Sequence, residues 1–307
     1  MEFLTTVTQM LSLFIMMVIG YIMYKINVID EIATVRYTKL VLNISLPAQI
    51  ITSFSASSGV IPKSEVVFVF IISILIYFFY GVIAILFNFI TRVHSFEKGT
   101  YIYMILFGNV GFMGFPVITS ILGSSALVYA VIFNIIFYLL VFSIGIQLIS
   151  SNKENHKFDP KLFLNMPLIS AVLAIFIFFL NIPLPNVLVS SLNSLGNVTT
   201  PVAMIILGST IASMPLKELI NDWRIYIFTF VKLMVLPFAI WGILHQTTSV
   251  NSLISSVMII LSGTPVATNA TMLSIQYGGD KKLVSKGILF TTVLSVITIP
   301  ILTILLL

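Results

Sequence analysis

Cysteine is absent from this chain of 307 residues, which removes disulfides, thiol nucleophiles and thiolate metal sites. Charge is almost as scarce, at 8% of residues against 59% hydrophobic, and mean hydropathy is +1.14. A soluble domain of this size has no use for so much apolar surface, so the composition describes an all-α polytopic membrane protein. The few acidic residues are Glu2, Asp30, Glu31, Glu65, Glu97, Glu154, Asp159, Glu218, Asp222 and Asp280, and each lies at a terminus or beside a span. The membrane interior is therefore expected to lack carboxylates, which disfavours proton antiport on embedded acids and carriage of metal cations. His94, His156 and His245 fall in or near loops, too scattered for a metal site. With no cysteine, no embedded acid and no well-placed histidine there is no constellation for a membrane-embedded enzyme. A glycine-rich phosphate loop is missing too, which excludes an ATP-driven pump and implies no cofactor. A channel would need continuous pore-lining rings.

What the sequence does have is long apolar runs. A helix needs about 20 apolar residues to cross a hydrocarbon core of about 30 Å. Ten such segments are bounded by charge, glycine or proline, at 3–25, 36–56, 65–90, 99–122, 125–150, 161–181, 187–213, 223–245, 252–277 and 283–306. The first has no basic region before it and no small-residue cleavage site after it, so it is expected to be a permanent helix rather than a signal peptide. Short loops leave no room for a separate soluble domain. The 25 Phe and 13 Met are most simply lipid-facing and packing residues.

Positive charge orients these spans. Lys25, Arg36, Lys39, Arg92, Lys98, Lys153, Lys157, Lys161, Lys217, Arg224, Lys281, Lys282 and Lys286 fall on one side, Lys63 alone on the other, and Lys232 inside the eighth span. Both termini are thus expected outside the cytoplasm of a cell-membrane protein. The basic pI near 9.3 follows from this asymmetry and calls for no nucleic-acid partner.

Cutting the chain at its most polar linker, 151–160, leaves five spans in 1–150 and five in 161–307. An odd number of spans forces the second half to start from the opposite side, so the halves are expected to be inverted repeats. They share landmarks: L-N-I-S-L-P-A in the second span answers G-N-V-T-T-P-V in the seventh, placing Asn43 with Pro47 and Asn197 with Pro201 at the same offset. G-F-P in the fourth span (Gly114 to Pro116) answers G-T-P in the ninth (Gly263 to Pro265). Interrupted helices at matching positions of inverted halves are a sequence pointer to a transporter's binding site.

Proline lacks an N–H and clashes with the preceding turn, and Gly111, Gly114 and Gly263 permit unusual backbone angles, so both helices are expected to unwind near Pro116 and Pro265. Backbone groups freed at that depth must be buried in protein or line a wet cavity. Asn109 and Asn269 offer both donor and acceptor beside the breaks, and helix N-terminal ends facing the midplane suit an anion. Interhelical hydrogen bonding is the competing role for these asparagines, and helix packing or kink capping the competing role for Asn43 and Asn197. Lys232 would sit about 12 Å past Arg224 at 1.5 Å per residue, near the midplane. It reads as an anion contact, a countercharge or a proton-titrating group, against snorkelling to the cytoplasmic face.

The stretches G-N-V-G-F-M-G-F-P and G-T-P-V-A-T-N-A-T-M-L resemble the auxin efflux carrier family, which includes plant auxin transporters and bacterial proteins described as malonate or malate permeases. The resemblance covers the whole chain. It implies the fold of sodium/proton antiporters and bile acid symporters, with crossing broken helices in a core domain that moves like an elevator against a scaffold that often dimerises. It also implies substrate contact by Asn109, crossover roles for Pro116, Pro265 and Asn269, and a site-lining role for Tyr138 near Asn134. The short 151–160 linker stands where plant members carry a long phosphorylated loop. The expected function is secondary transport of a small organic anion across the lipid bilayer. Lys232 leaves proton coupling open, and Thr264, Thr268 and Thr271 leave a sodium site open.

Overall fold

The computed structural model describes residues 2–150, 162, 164–213, 223–246 and 250–306. The expected linker 151–160, and with it Lys153, Lys157 and His156, lies outside the described residues, as do Lys161 and Lys217. The described chain is helical: α1 Glu2–Lys25, α2 Glu31–Ser57, α3 Lys63–Ile90, α4 Lys98–Leu106, α5 Val110–Leu122, α6 Ser124–Ile149, α7 Met166–Leu180, α8 Asn186–Gly196, α9 Thr199–Ser213, α10 Trp223–His245, α11 Ser252–Ser262, α12 Asn269–Gln276 and α13 Lys281–Leu306. Six helical stretches, 31–57, 63–90, 124–149, 186–213, 223–245 and 281–306, are long and apolar enough to cross a membrane, and shorter apolar helices fill 11–25, 110–122, 166–180 and 252–262.

The surface is that of a membrane protein. Along α3 the exposed residues include Phe78, Val82, Ile85 and Phe89, while Tyr77, Tyr80, Ala84 and Phe87 are buried. Both sets recur at helical spacing; the outward stripe is apolar and the polar hydroxyls turn inward. In water such a stripe would be an aggregation liability, whereas in lipid it is simply solvated.

Helix ends follow local chemistry. Asp30 caps α2 by accepting the Ala33 N–H at 2.6 Å, and Asn165 caps α7 by accepting that of Leu168 at 3.0 Å. Prolines inside the apolar runs act differently from a simple break. Widened π turns occupy Val41–Ser45, Val110–Gly114, Val141–Gly145 and Val231–Val235, and all but the third are closely followed by a proline, at Pro47, Pro116 and Pro237. The proline ring cannot share a turn with the carbonyl four residues back, and one wider turn moves that carbonyl aside without ending the helix. The same motif has two outcomes: N-I-S-L-P passes through a π turn within α2, whereas N-V-T-T-P interrupts the seventh apolar run at Asn197–Val198, between α8 and α9.

The chain folds into two compact units, each drawing on segments from both sides of 151–160. One comprises Met1–Phe70, Gly111–Ile135 and Lys161–Ser213, the other Ile71–Val110, Ile136–Pro160 and Met214–Leu307. In the first, α1 and α9 run side by side in the same direction: Gly20 abuts the Ile205 backbone, Gly208 abuts Met17 and Tyr21, and Lys25 Nζ donates to the Ala212 carbonyl at 3.0 Å. Both glycines are required, because a Cβ at either would strike backbone. Tyr129, also in this unit, donates to the Glu65 carboxylate. In the second unit α10 packs on α11 and α13, and α4 on the end of α6, where Gly99 abuts Leu148.

Candidate functional site

Two interruptions meet in the second unit. One is Phe107–Asn109, between α4 and α5; the other is 263–268, between α11 and α12. The two extended segments pair antiparallel at Gly108 and Val266. Asn109 N–H donates to the Pro265 carbonyl at 2.7 Å and Ala267 N–H to the Phe107 carbonyl at 3.0 Å. Val266 N–H donates to Thr291 Oγ1 of α13 at 3.0 Å. Each break thus satisfies the backbone groups that the other exposes, as an apolar surround demands.

The pairing depends on Gly108, where a Cβ would collide with Thr264 Oγ1. Thr264 is fully buried and its hydroxyl donates to the Leu261 carbonyl at 2.6 Å. Lys232, 1% exposed on the π turn of α10, donates from Nζ to the Ile105 carbonyl at 2.8 Å, with the Tyr80 ring centroid 5.6 Å from the ammonium. Ile105 lies in the last turn of α4, whose end carries the partly negative pole of the helix, so the cation faces a carbonyl dipole and an aromatic face. Tyr80 Oη donates to Ser262 Oγ at 2.7 Å, and Ser262 closes α11. Lys232 and Tyr80 therefore brace the two helix ends that precede the two breaks.

Among the residues singled out in the sequence, Asn109, Pro265, Lys232, Asn269 and Tyr138 belong to this unit, and Gly111, Gly114 and Pro116 to the other. Asn109 is 3% exposed. Asn269 opens α12, and Tyr103 Oη reaches its Oδ1 at 3.5 Å. Tyr138 stands in an aromatic row with Phe137 and Phe142. Thr268 and Thr271 are half-buried around the start of α12. Asn43 and Asn197 are exposed in the first unit.

Two expectations are corrected, and one of the alternatives left open for Lys232 is removed. The fourth-span break lies at Phe107–Asn109 rather than at the Gly–Pro cluster, because the π turn at 110–114 absorbs Pro116. Gly111 and Gly114 are consequently helical, with φ −61° and ψ −52° at Gly114, and neither uses the angles that only glycine favours. Lys232 does not snorkel outward; its ammonium is enclosed by protein. Tyr80, Ser262, Tyr103 and Thr291 went unnoticed in the sequence. A tyrosine in the run L-I-Y-F-F-Y was the available signal, since a phenol hydroxyl at depth needs a partner.

Comparison with known proteins gives a consistent answer. The family profile described as membrane transport protein matches residues 5–303. An uncharacterized transporter of Methanothermobacter thermautotrophicus is 26% identical over 303 residues, covering 98% of both chains. One from Methanocaldococcus jannaschii is 25% identical over 299 residues, covering 94% of this chain and 95% of its own.

Proposed function

This chain belongs to the membrane transport protein family, that of the auxin efflux carriers, and from that premise we propose that it is a secondary carrier of small organic anions with its site where the two interrupted helices meet. It is a multi-pass membrane transporter and not an enzyme. The observation that carries the reading is the paired break at Gly108 and Val266, with Asn109 and the Lys232 ammonium buried beside it. A positive charge and an amide enclosed at such a junction are the groups a carboxylate needs, and a junction made by backbone pairing can be remade in alternative arrangements of the same segments. The substrate class is that of malate, malonate or auxin-like aromatic acids, moved by elevator-type alternating access.

Ten spans in two inverted five-helix repeats, 1–150 and 161–307, are supported by the matching motifs and by the location of both breaks in the fourth and ninth apolar runs. The excess of lysine and arginine in alternate loops supports an orientation with both termini outside the cytoplasm, and the membrane proposed is that of the cell. The proposal includes a homodimer, with Asn43 and Asn197, amides exposed on the first unit, as candidate contacts. Coupling to protons fits Lys232. Sodium at Thr264, Thr268 and Thr271 would have to share its surroundings with that ammonium, at a Coulombic cost.

Uptake of radiolabelled malonate, malate and indole-acetate into proteoliposomes, under imposed sodium, proton or no gradients, tests the proposal. Saturable, counterflow-competent uptake is expected, abolished by Asn109→Ala in a protein of unchanged melting temperature, and the gradient that drives it identifies the coupling ion. Undiminished uptake by the variant would move the site away from Asn109. Failure of every carboxylate under every gradient would overturn the anion assignment.

A further inference from the structure

Buried hydroxyls in this protein are usually discharged onto a carbonyl three or four residues back, as Thr52 does on Ala48, Thr229 on Ile225 and Thr303 on Ile299. Two are not. Ser45 Oγ and Thr199 Oγ1, 1% and 0% exposed, have no hydrogen-bond partner among the described residues, and neither has Gln49 Oε1, one turn beyond Ser45. Ser45 and Thr199 hold the same place in the repeated motif, N-I-S-L-P and N-V-T-T-P. All three residues belong to the first unit.

The packing brings them together. α9 lies against the 31–40 and 41–45 stretches of α2, and α8 against 41–45 and 46–57, so α2 runs antiparallel to the α8–α9 segment. Gly196 packs directly on Gln49, its Cβ direction ending 3.0 Å from Gln49 Cα. In an antiparallel pair, stepping forward from Gly196 to Thr199 means stepping back from Gln49 towards Ser45. Ser45, Gln49 and Thr199 therefore come to about the same level of a single helix crossing.

Their chemistry specifies the occupant. An unpaired buried hydroxyl or amide is costly, and an internal water makes about three hydrogen bonds to such groups. Each hydroxyl can donate or accept, while Gln49 Oε1 only accepts, a set that one water completes. A cation fits poorly, because these are neutral oxygens and neither 41–57 nor 186–213 contains an acidic residue. We propose that Ser45, Gln49 and Thr199 seat one internal water molecule that fastens α2 to α8 and α9, each sequence repeat supplying one of its two hydroxyl ligands. This site is independent of the transport reading.

The test is a double-mutant cycle on the full-length purified protein, reading melting temperature for Ser45→Ala, Thr199→Val and both together. A shared water predicts that each single change lowers the melting temperature by about 2–4 °C, roughly one lost hydrogen bond's worth, and that the double variant falls little further. Additive losses, or single changes that raise the melting temperature, would show that the hydroxyls act separately and overturn the proposal. A wild-type melting temperature that climbs with sodium chloride but not choline chloride would assign the seat to a cation instead. Should the variants not fold, a density map of the wild type resolving waters decides: density within hydrogen-bond distance of all three oxygens is expected, and a contracted, dry crossing would refute it.

Discussion

A methyl group at position 108 would run into the Thr264 hydroxyl, whereas one at position 111 would meet nothing within 4 Å. Gly108→Ala is therefore expected to destabilise the protein by about 1–3 kcal/mol, as overpacking does. Gly111→Ala is expected to be neutral or to stabilise by up to about 1 kcal/mol, since it lies in a helix. Thermal unfolding in detergent checks both. The pair shows what sequence conveys at this scale: glycine and proline in an apolar run flag an irregularity. Which glycine is indispensable depends on Thr264, more than 150 residues away, and no local pattern carries that information. Asn109 was legible because an amide beside a break needs partners. Tyr80 was not singled out, because its role rests on meeting Ser262 and Lys232 from other helices.

Among the elements, the π turn recurs with a purpose. In α10 it spans Val231–Val235 ahead of Pro237, and it sets the rotation at which Lys232 leaves the helix. Replacing Pro237 with alanine restores a donor and removes the ring clash, so the wide turn can tighten to ordinary α geometry. One residue fewer in a turn rotates the preceding helix by about 100°, which would carry the ammonium away from the Ile105 carbonyl. Lys232→Met is expected to lose labelled carboxylate uptake, and Pro237→Ala is thus expected to lose it to a similar degree while the folded protein remains intact, with thermal unfolding measured beside uptake. Matched transport of Pro237→Ala and wild type would show that the turn has no part in placing the lysine. Helix existence was readable from apolar run length, and the interruption of the fourth and ninth runs from composition. The offset of the fourth break from its proline was not readable, because a helix can accommodate proline either by breaking or by widening, as α2 and the α8–α9 segment show with nearly the same motif.

For the whole molecule, the lack of cysteine makes every introduced thiol a unique reporter. Val60, 74% exposed between α2 and α3, and Ser95, exposed between α3 and α4, lie in successive loops. Val60→Cys is expected to react with a membrane-impermeant maleimide on intact cells, and Ser95→Cys only after permeabilisation; the reverse pattern would invert the orientation drawn from the basic residues. The division into two compact units could not be read from sequence, since each unit is assembled from both halves of the chain. The pairing of α1 with α9 carries this furthest. Gly20 and Gly208 bring the two backbones together, yet the helix on which α1 packs most extensively begins only at residue 199. During synthesis the first helix must wait in the bilayer, with its glycine face unmatched, until two thirds of the chain has been made. Ribosomal products that end before α9 would keep that face open for as long as they last, a ready mark by which a membrane protease could tell an unfinished chain from a complete one.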